Sequence, residues 1–151
     1  MSAERYTAVV KELCASMGIP DVAAVLEQRV LEVEGFDVLI DHVEADPNAL
    51  YLNFNYGIVS SGRTLKVFRL LLEANLLVYA QDQAQLGMDA DTGGIVMIVR
   101  VEFCNEVGAD WLTSLLAHYA EHGRYWRDNI FQVDDEMFEQ VANGSYLWMK
   151  V

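Results

Sequence analysis

Two histidines and a glutamate stand close together in the run His118-Tyr119-Ala120-Glu121-His122. On a helix, His118 and His122 lie one turn apart and can share a metal ion, and the string H-x-x-E-H is the inverted zinc-protease pattern. That chemistry needs a further protein ligand and an open water position, and only Glu136 and Glu139 follow closely. Half-buried interface histidines are therefore the main interpretation, and a zinc hydrolase that uses His118, Glu121 and His122 is the alternative.

The other residues that could do chemistry form weaker patterns. Asp89, Asp91 and Thr92 resemble the start of a calcium loop, but the spacing then breaks and no glutamate closes the loop. A hairpin turn explains them better. Cys14 and Cys104 have no CxxC partner, which indicates two reduced, buried thiols. Neither GxGxxG nor GxxxxGK[ST] is present in the sequence, so no nucleotide-binding motif is recognised.

Composition limits the class of protein. With 151 residues, 53% of them hydrophobic, the chain can bury one real core, and its length predicts one domain. The 23 acidic and 10 basic residues give a formal charge of −13, which argues against nucleic-acid binding and favours either simple solubility or a basic partner. No apolar run approaches the roughly 20 residues of a membrane span, and the start lacks a signal-peptide pattern. We expect a cytosolic protein that binds neither nucleic acid nor membrane.

Hydrophobic periodicity predicts an α+β fold with the order helix, strands, helix, hairpin, helix. A period near 3.6 marks helices over residues 3–17 and 109–127, whereas a period of 2 marks strands over 36–41 and 50–58. The run Asp91-Thr92-Gly93-Gly94 has hairpin chemistry and leads into a continuously apolar strand. We therefore expect two layers, in which helices pack against a twisted antiparallel sheet.

The stretch 61–82 is predicted to be the central helix, and it carries two apolar stripes. The first consists of Leu65, Phe68, Leu72, Leu76 and Tyr79, and the second of Val67, Leu71, Ala74, Leu77 and Val78. An apolar arc this wide needs two covering surfaces, which we assign to the chain's own sheet and to a second copy across a two-fold axis. The residues predicted for the homodimer interface are Val67, Leu70, Leu71, Ala74, Leu77 and Val78.

Residues 70–102, LLLEANLLVYAQDQAQLGMDADTGGIVMIVRVE, resemble the characteristic passage of the class I type III secretion chaperones, the Tir chaperone family. ALYLNFNYGIVSSG before this passage and WLTSLLAHYAEHGRYW after it fall where that family has its third strand and its final helix. The resemblance covers about residues 3–127. It therefore predicts a single domain over 1–151, in which 128–151 form a C-terminal extension of unknown role.

The resemblance implies a protein that is not an enzyme and uses no cofactor. Such chaperones bind the N-terminal region of a secreted effector in an extended, non-globular state and keep it soluble and secretion-competent without ATP hydrolysis. A bacterial, cytoplasmic homodimer with a role in virulence is implied as well, and the secretion ATPase is a further candidate partner. The alternative is a non-secretory adaptor on the same fold that holds a folded partner.

Effector binding can be predicted physically from an unpaired sheet edge that accepts a strand and from apolar hollows that accept its side chains. We place the hollow between the first helix and the outward positions of the strands. The predicted effector-binding residues are Tyr6, Val9, Leu13, Leu39, Val43 and Tyr51. The apolar tail Ser145–Val151 is expected to pack on its own domain or on the dimer mate, with occupation of the effector groove as the alternative.

Overall fold

The computed structural model describes residues 3–59, 64–103 and 108–131, without the side chains of residues 80–82 and 129. The elements follow in the order α1 (Ala3–Met17), α2 (Val22–Gln28), β1 (Val30–Val33), β2 (Phe36–Asp41), β3 (Ala49–Ile58), α3 (Thr64–Asp82), β4 (Ala84–Met88), β5 (Gly94–Glu102) and α4 (Ala109–Trp126), and a π-helical turn (Arg127–Phe131) comes after α4. This order confirms the predicted α+β fold. Cys104 and the tail 145–151 lie outside the described residues, and the single-domain organisation stays a prediction.

Five strands form one sheet in the order β1-β2-β3-β5-β4. The pairs β1–β2, β2–β3 and β4–β5 are antiparallel. Glu34 and Gly35 join β1 to β2 with positive φ angles of 50° and 89°, the backbone that a two-residue hairpin with right-handed strand twist requires. The strands at the two edges of the sheet are therefore β1 and β4.

The described residues of Met1–Phe54 and Arg100–Ala120 form one compact unit. Within it, α1 buries one face, made of Tyr6, Val10, Leu13 and Cys14. The helix ends at Gly18, where a φ of 71° lets the Ile19 amide donate back to the Cys14 carbonyl at 2.9 Å. Next, α2 begins where Asp21 accepts from the Ala24 amide at 3.1 Å, as an N-cap residue does. Two short caps thus fix how the chain leaves α1 and enters β1.

The described residues of Asn55–Val99 and Glu121–Val151 form the second unit. In it, α3 is followed after a single residue by β4, because Gln83 adopts a φ of 53° and donates its amide to the Tyr79 carbonyl at 3.1 Å. Tyr56 is 1% exposed, and its ring lies so close to Gly123 that a Cβ built there would meet a ring carbon at 2.4 Å. Only glycine leaves the room that this ring occupies.

No helix within the described part of the chain combines the length and the apolar character needed to cross a membrane.

Candidate functional site

The six residues predicted for effector binding all lie in the first unit, but the structure does not bring them into one hollow. Tyr6 and Leu13 are core residues, 5% and 1% exposed. Val9, Leu39 and Tyr51 are half-buried, and Val43 is 44% exposed. The set therefore divides into residues that hold α1 in place and residues that reach the surface.

Tyr6 belongs to the first group. Its hydroxyl donates to the backbone carbonyl of Ile40 at 2.8 Å, and its ring centroid lies 4.8 Å from that of His42. Burial raises the pKa of the Tyr6 phenol, the positive charge of Arg29 lowers it, and the negative charge of Asp41 raises it. The phenol therefore stays protonated and ties α1 to the end of β2.

Leu39 and Tyr51 lie on the outward face of the sheet, which is the face that this unit's core does not use. The register pairs Leu39 with Asn53 and Asp41 with Tyr51, so these four residues share one face of β2 and β3. The alternate positions Val38, Ile40, Leu52 and Phe54 are at most 1% exposed and form the core face. A hollow shared by Leu13, Leu39 and Tyr51 is therefore not formed, because strand alternation separates these side chains.

Tyr51 also takes part in a polar cluster that the sequence did not reveal. Its hydroxyl donates to Asp46 Oδ2 at 2.7 Å, and Arg100 holds the same carboxylate through Nε at 2.6 Å and Nη2 at 3.0 Å. The hydrogen bonds from Arg100 and then from Tyr51 hold the pKa of Asp46 below its usual range, and the bond to Asp46 raises the pKa of Tyr51. This cluster fixes the turn before β3 against β5.

The pairing of the edge strand β1 with β2 shows which N–H and C=O groups of β1 point away from the sheet. The Ile40 amide donates to the Arg29 carbonyl at 2.8 Å, which marks Arg29 and Ile40 as a hydrogen-bonded pair. By alternation, Val30 and Glu32 occupy non-hydrogen-bonded pairs, so their N–H and C=O groups point away from β2. Among the described residues, none bonds to these outward groups.

On the outward face, the β1–β2 hairpin carries one apolar and one acidic pair. Val30 stands opposite Leu39, both half-buried, and Glu32 stands opposite Asp37, both exposed. Like charges directly across a strand pair destabilise the pair in isolation. The edge therefore offers open backbone groups, an apolar surface and an acidic pair that forms no ion pair with any other described residue.

Most residues predicted for the dimer interface are buried within the chain itself. Val67, Leu70, Leu71, Ala74 and Val78 are at most 6% exposed, and Leu77 is half-buried. They are covered by their own chain, so five of the six offer no surface to a second copy. This corrects the assignment of the two stripes: the stripe reserved for the partner is the one that the chain's own core uses.

The other stripe of α3 is exposed, and we call it the outer face of α3 (Leu65, Phe68, Leu72, Leu76 and Tyr79). Exposed fractions are 83% for Leu65, 71% for Leu72, 78% for Leu76 and 56% for Tyr79, and Phe68 is half-buried. A shallow hollow on the same helix is lined by Leu65, Lys66, Phe68, Arg69, Leu72 and Glu73. A contiguous apolar surface of this kind marks a protein-binding site more often than a solvated helix face.

Within the described residues, the histidine motif is not assembled into a metal site, and Glu136 and Glu139 lie outside those residues. His118 and Glu121 are exposed, while His122 is half-buried and its Nδ1 shares a hydrogen bond of 3.3 Å with the hydroxyl of buried Tyr56. In the part of the chain that the structure describes, no group of three His, Cys, Asp or Glu side chains is placed to hold a metal ion. The hydrogen bond to Tyr56 therefore accounts for the half-buried position of His122.

The aspartates of the supposed calcium loop form a hairpin turn. The Asp89 carboxylate accepts from the Asp91 amide at 3.0 Å and from the Thr92 hydroxyl at 2.9 Å. These bonds hold the pKa of Asp89 below its usual range. The Asp89 amide donates to the Gly94 carbonyl at 2.8 Å and closes the turn. The side chains are occupied in shaping the hairpin between β4 and β5.

Comparison with known proteins gives a consistent result. The model of the Tir chaperone protein (CesT) family matches residues 8–127. No curated protein sequence matches the chain. Among solved structures, the ExsC–ExsE complex is similar at 16% identity with a TM-score of 0.67, covering 89% of this chain and 100% of that one. The HopA1–SchA chaperone–effector complex is similar at 15% identity with a TM-score of 0.61, covering 82% and 93%.

Proposed function

Because the chain belongs to the Tir chaperone protein (CesT) family, it is a type III secretion chaperone, and we propose that it binds the N-terminal region of a secreted effector in an extended state. It acts in the bacterial cytoplasm as a homodimer, without catalysis and without ATP hydrolysis. The observation that carries the proposal is the open edge of β1, whose outward groups at Val30 and Glu32 can pair with a further strand.

The side chains beside this edge indicate which effector segment fits. A strand added to β1 brings alternate side chains onto the outward face, next to Val30 and then next to Glu32. The first position favours an apolar side chain, because Val30 and Leu39 are already half-buried there. The second favours Lys or Arg, which would neutralise the pair Glu32 and Asp37. We therefore propose that the effector segment carries an apolar and a basic residue two positions apart.

Homodimer formation is proposed through the outer face of α3. Four of the nine large apolar side chains that are exposed among the described residues lie on this one helix face. A second copy would cover the same stripe from a symmetric position, since a two-fold interface uses one surface patch twice. In this proposal the apolar arc of α3 is still covered by two surfaces. The chain's own core covers the inner stripe, and the second copy covers the outer face of α3.

The proposed function is tested by capturing tagged full-length protein from its native cytosol and identifying the co-eluting proteins by mass spectrometry. We expect a secreted effector whose N-terminal segment alone becomes resistant to protease in the complex. Protection of a folded domain would instead support the adaptor. The proposal would be refuted if the effector still bound after its N-terminal segment had been removed. The same capture shows whether the secretion ATPase co-purifies.

The basic residue proposed for the effector segment is tested by reversing the charge beside the edge. The double change Glu32→Lys and Asp37→Lys should weaken effector binding about two- to tenfold at low salt, since exposed ion pairs contribute a few tenths to about 1 kcal/mol each. Glu121→Lys, an exposed glutamate in the second unit, is the matched control and should leave the affinity unchanged. Equal affinities for both variants would refute the basic side chain proposed beside Glu32 and Asp37, since the substitutions leave the backbone groups of β1 in place.

A further inference from the structure

The second edge of the sheet, β4, differs from β1 in how its outward backbone groups are used. The Asp89 amide donates to the Gly94 carbonyl at 2.8 Å, which marks Asp89 and Gly94 as a hydrogen-bonded pair. Alternation along the register then makes Leu86 and Met97 a non-hydrogen-bonded pair. The N–H and C=O of Leu86, at the centre of β4, therefore point beyond the edge of the sheet.

Both of these groups are bonded by one side chain from α3. The Leu86 amide donates to Asn75 Oδ1 at 2.7 Å, and Asn75 Nδ2 donates to the Leu86 carbonyl at 3.0 Å. A side-chain amide carries the same donor and acceptor as a peptide group. Asn75 thus makes at Leu86 the two bonds that a residue of an adjacent antiparallel strand would make.

The tight connection between α3 and β4 explains why these two residues meet. Asn75 precedes Gln83 by eight residues, which is about 12 Å along a helix. Leu86 follows Gln83 by three residues, which is about 10 Å along a strand. Because the chain reverses at Gln83, the two distances bring Asn75 level with the middle of the strand.

We propose that Asn75 closes β4 to strand addition, as a built-in substitute for a neighbouring strand, and so leaves β1 as the edge that receives the effector. A strand added to β4 must bond Ala84, Leu86 and Met88 in turn, and the central position is taken. Exposed strand edges are templates for pairing with other chains, and covering them is a known protection. The assignment of β1 rests on the proposed function, whereas the closure of β4 is a property of the free chain.

The test uses the full-length chain without effector and compares Asn75→Ala, Asn75→Asp and the control Gln85→Ala. Gln85 is an exposed amide on the same strand, in a hydrogen-bonded pair with Ile98, so its backbone groups point toward β5 and not beyond the edge. Asn75→Asp keeps the size of the side chain and the acceptor for the Leu86 amide, but places a carboxylate against the Leu86 carbonyl. Asn75→Asp therefore frees the Leu86 carbonyl while the Leu86 amide stays bonded, and it provides a test even if Asn75→Ala fails to fold.

Two readouts decide the question. Hydrogen exchange at the Leu86 amide should become about three- to tenfold faster in dilute Asn75→Ala and remain unchanged in Gln85→Ala. Sedimentation velocity should show species larger than the wild type at rising concentrations of Asn75→Ala, and exchange in β4 should slow again as they form. Asn75→Asp, in which only the Leu86 carbonyl is unpaired, should associate less than Asn75→Ala.

Faster hydrogen exchange in Asn75→Ala and Asn75→Asp without added association would overturn the proposal. Asn75 would then only connect α3 to β4 within the chain. Unchanged exchange would overturn it as well. Neither result bears on the proposed effector binding, because the capture experiment measures that binding separately.

Discussion

Replacing Leu76 with alanine tests whether the outer face of α3 joins two copies of the chain. Leu76 is 78% exposed, so a dimer that covers it removes most of a leucine from water. Full burial of a leucine contributes about 1.5–3 kcal/mol, and a two-fold axis counts each side chain twice. The dimer should lose about 2–4 kcal/mol, which raises its Kd about 30- to 700-fold.

The matched control is Leu71→Ala on the same helix. Leu71 is 5% exposed within its own chain, so its truncation should lower the free energy of unfolding by about 2–5 kcal/mol. The Kd of the folded dimer should change much less than in Leu76→Ala. Sedimentation equilibrium gives the Kd, and urea unfolding gives the stability. A wild-type Kd for Leu76→Ala, or a larger effect from Leu71→Ala, would refute the outer face as the seam.

Three further predictions concern stability, each measured by urea unfolding. Gly123→Ala should lose about 1–3 kcal/mol, because the new methyl group would meet the Tyr56 ring at 2.4 Å. His122→Ala should lose about 1–3 kcal/mol, since it removes a hydrogen-bond partner of the buried Tyr56 hydroxyl. The pKa of Asp46 is depressed by Arg100, so its stabilisation is present above the unfolded pKa of about 3.9 and is lost as pH falls through the folded pKa. Asp46→Asn should therefore destabilise the fold at pH 7 and differ less from the wild type at pH 3.

Controls are available for each of these changes. Gly87→Ala introduces a methyl group where no atom lies within 4 Å, and a loss equal to that of Gly123→Ala would contradict the packing argument. His118 is exposed, so His118→Ala should be neutral, and bound zinc that disappears in this variant would instead revive the metal alternative. A stability difference for Asp46→Asn that grows on acidification would reverse the sign assigned to the carboxylate.

Element boundaries could be predicted from the sequence where local chemistry decides them. The Ala3–Met17 helix ends at a glycine with positive φ, and the strand Phe36–Asp41 alternates strictly between buried and accessible positions. The hairpin at Asp91–Gly94 is held by the side-chain bonds that Asp and Thr provide in turns. Such features depend on residues only a few positions apart, so they can be predicted from periodicity and turn chemistry.

The choice between the two stripes of α3 could not be predicted in the same way. Leu71 and Leu72 are equally apolar, yet Leu71 is 5% and Leu72 is 71% exposed, because the choice depends on where the rest of the chain packs against the helix. Asn75 gave no signal either, because an isolated asparagine inside an apolar helix has no pattern that links it to a residue eleven positions later. Grouping Leu13 with Leu39 failed because face assignment needs the strand register, which sequence spacing does not contain.

The helix α3 also limits how this protein can vary. Its inner positions fill a core, Asn75 supplies one donor and one acceptor, and in the proposed homodimer its outer positions must also match a second copy of themselves. A saturation scan should therefore find two kinds of intolerance along one helix: substitutions at Leu71 that fail at every expression level, and substitutions at Leu76 that are tolerated when the protein is abundant. If the proposed dimer and effector edge are right, the apolar positions of α3 should vary less than the outward positions of the strands proposed to face the effector.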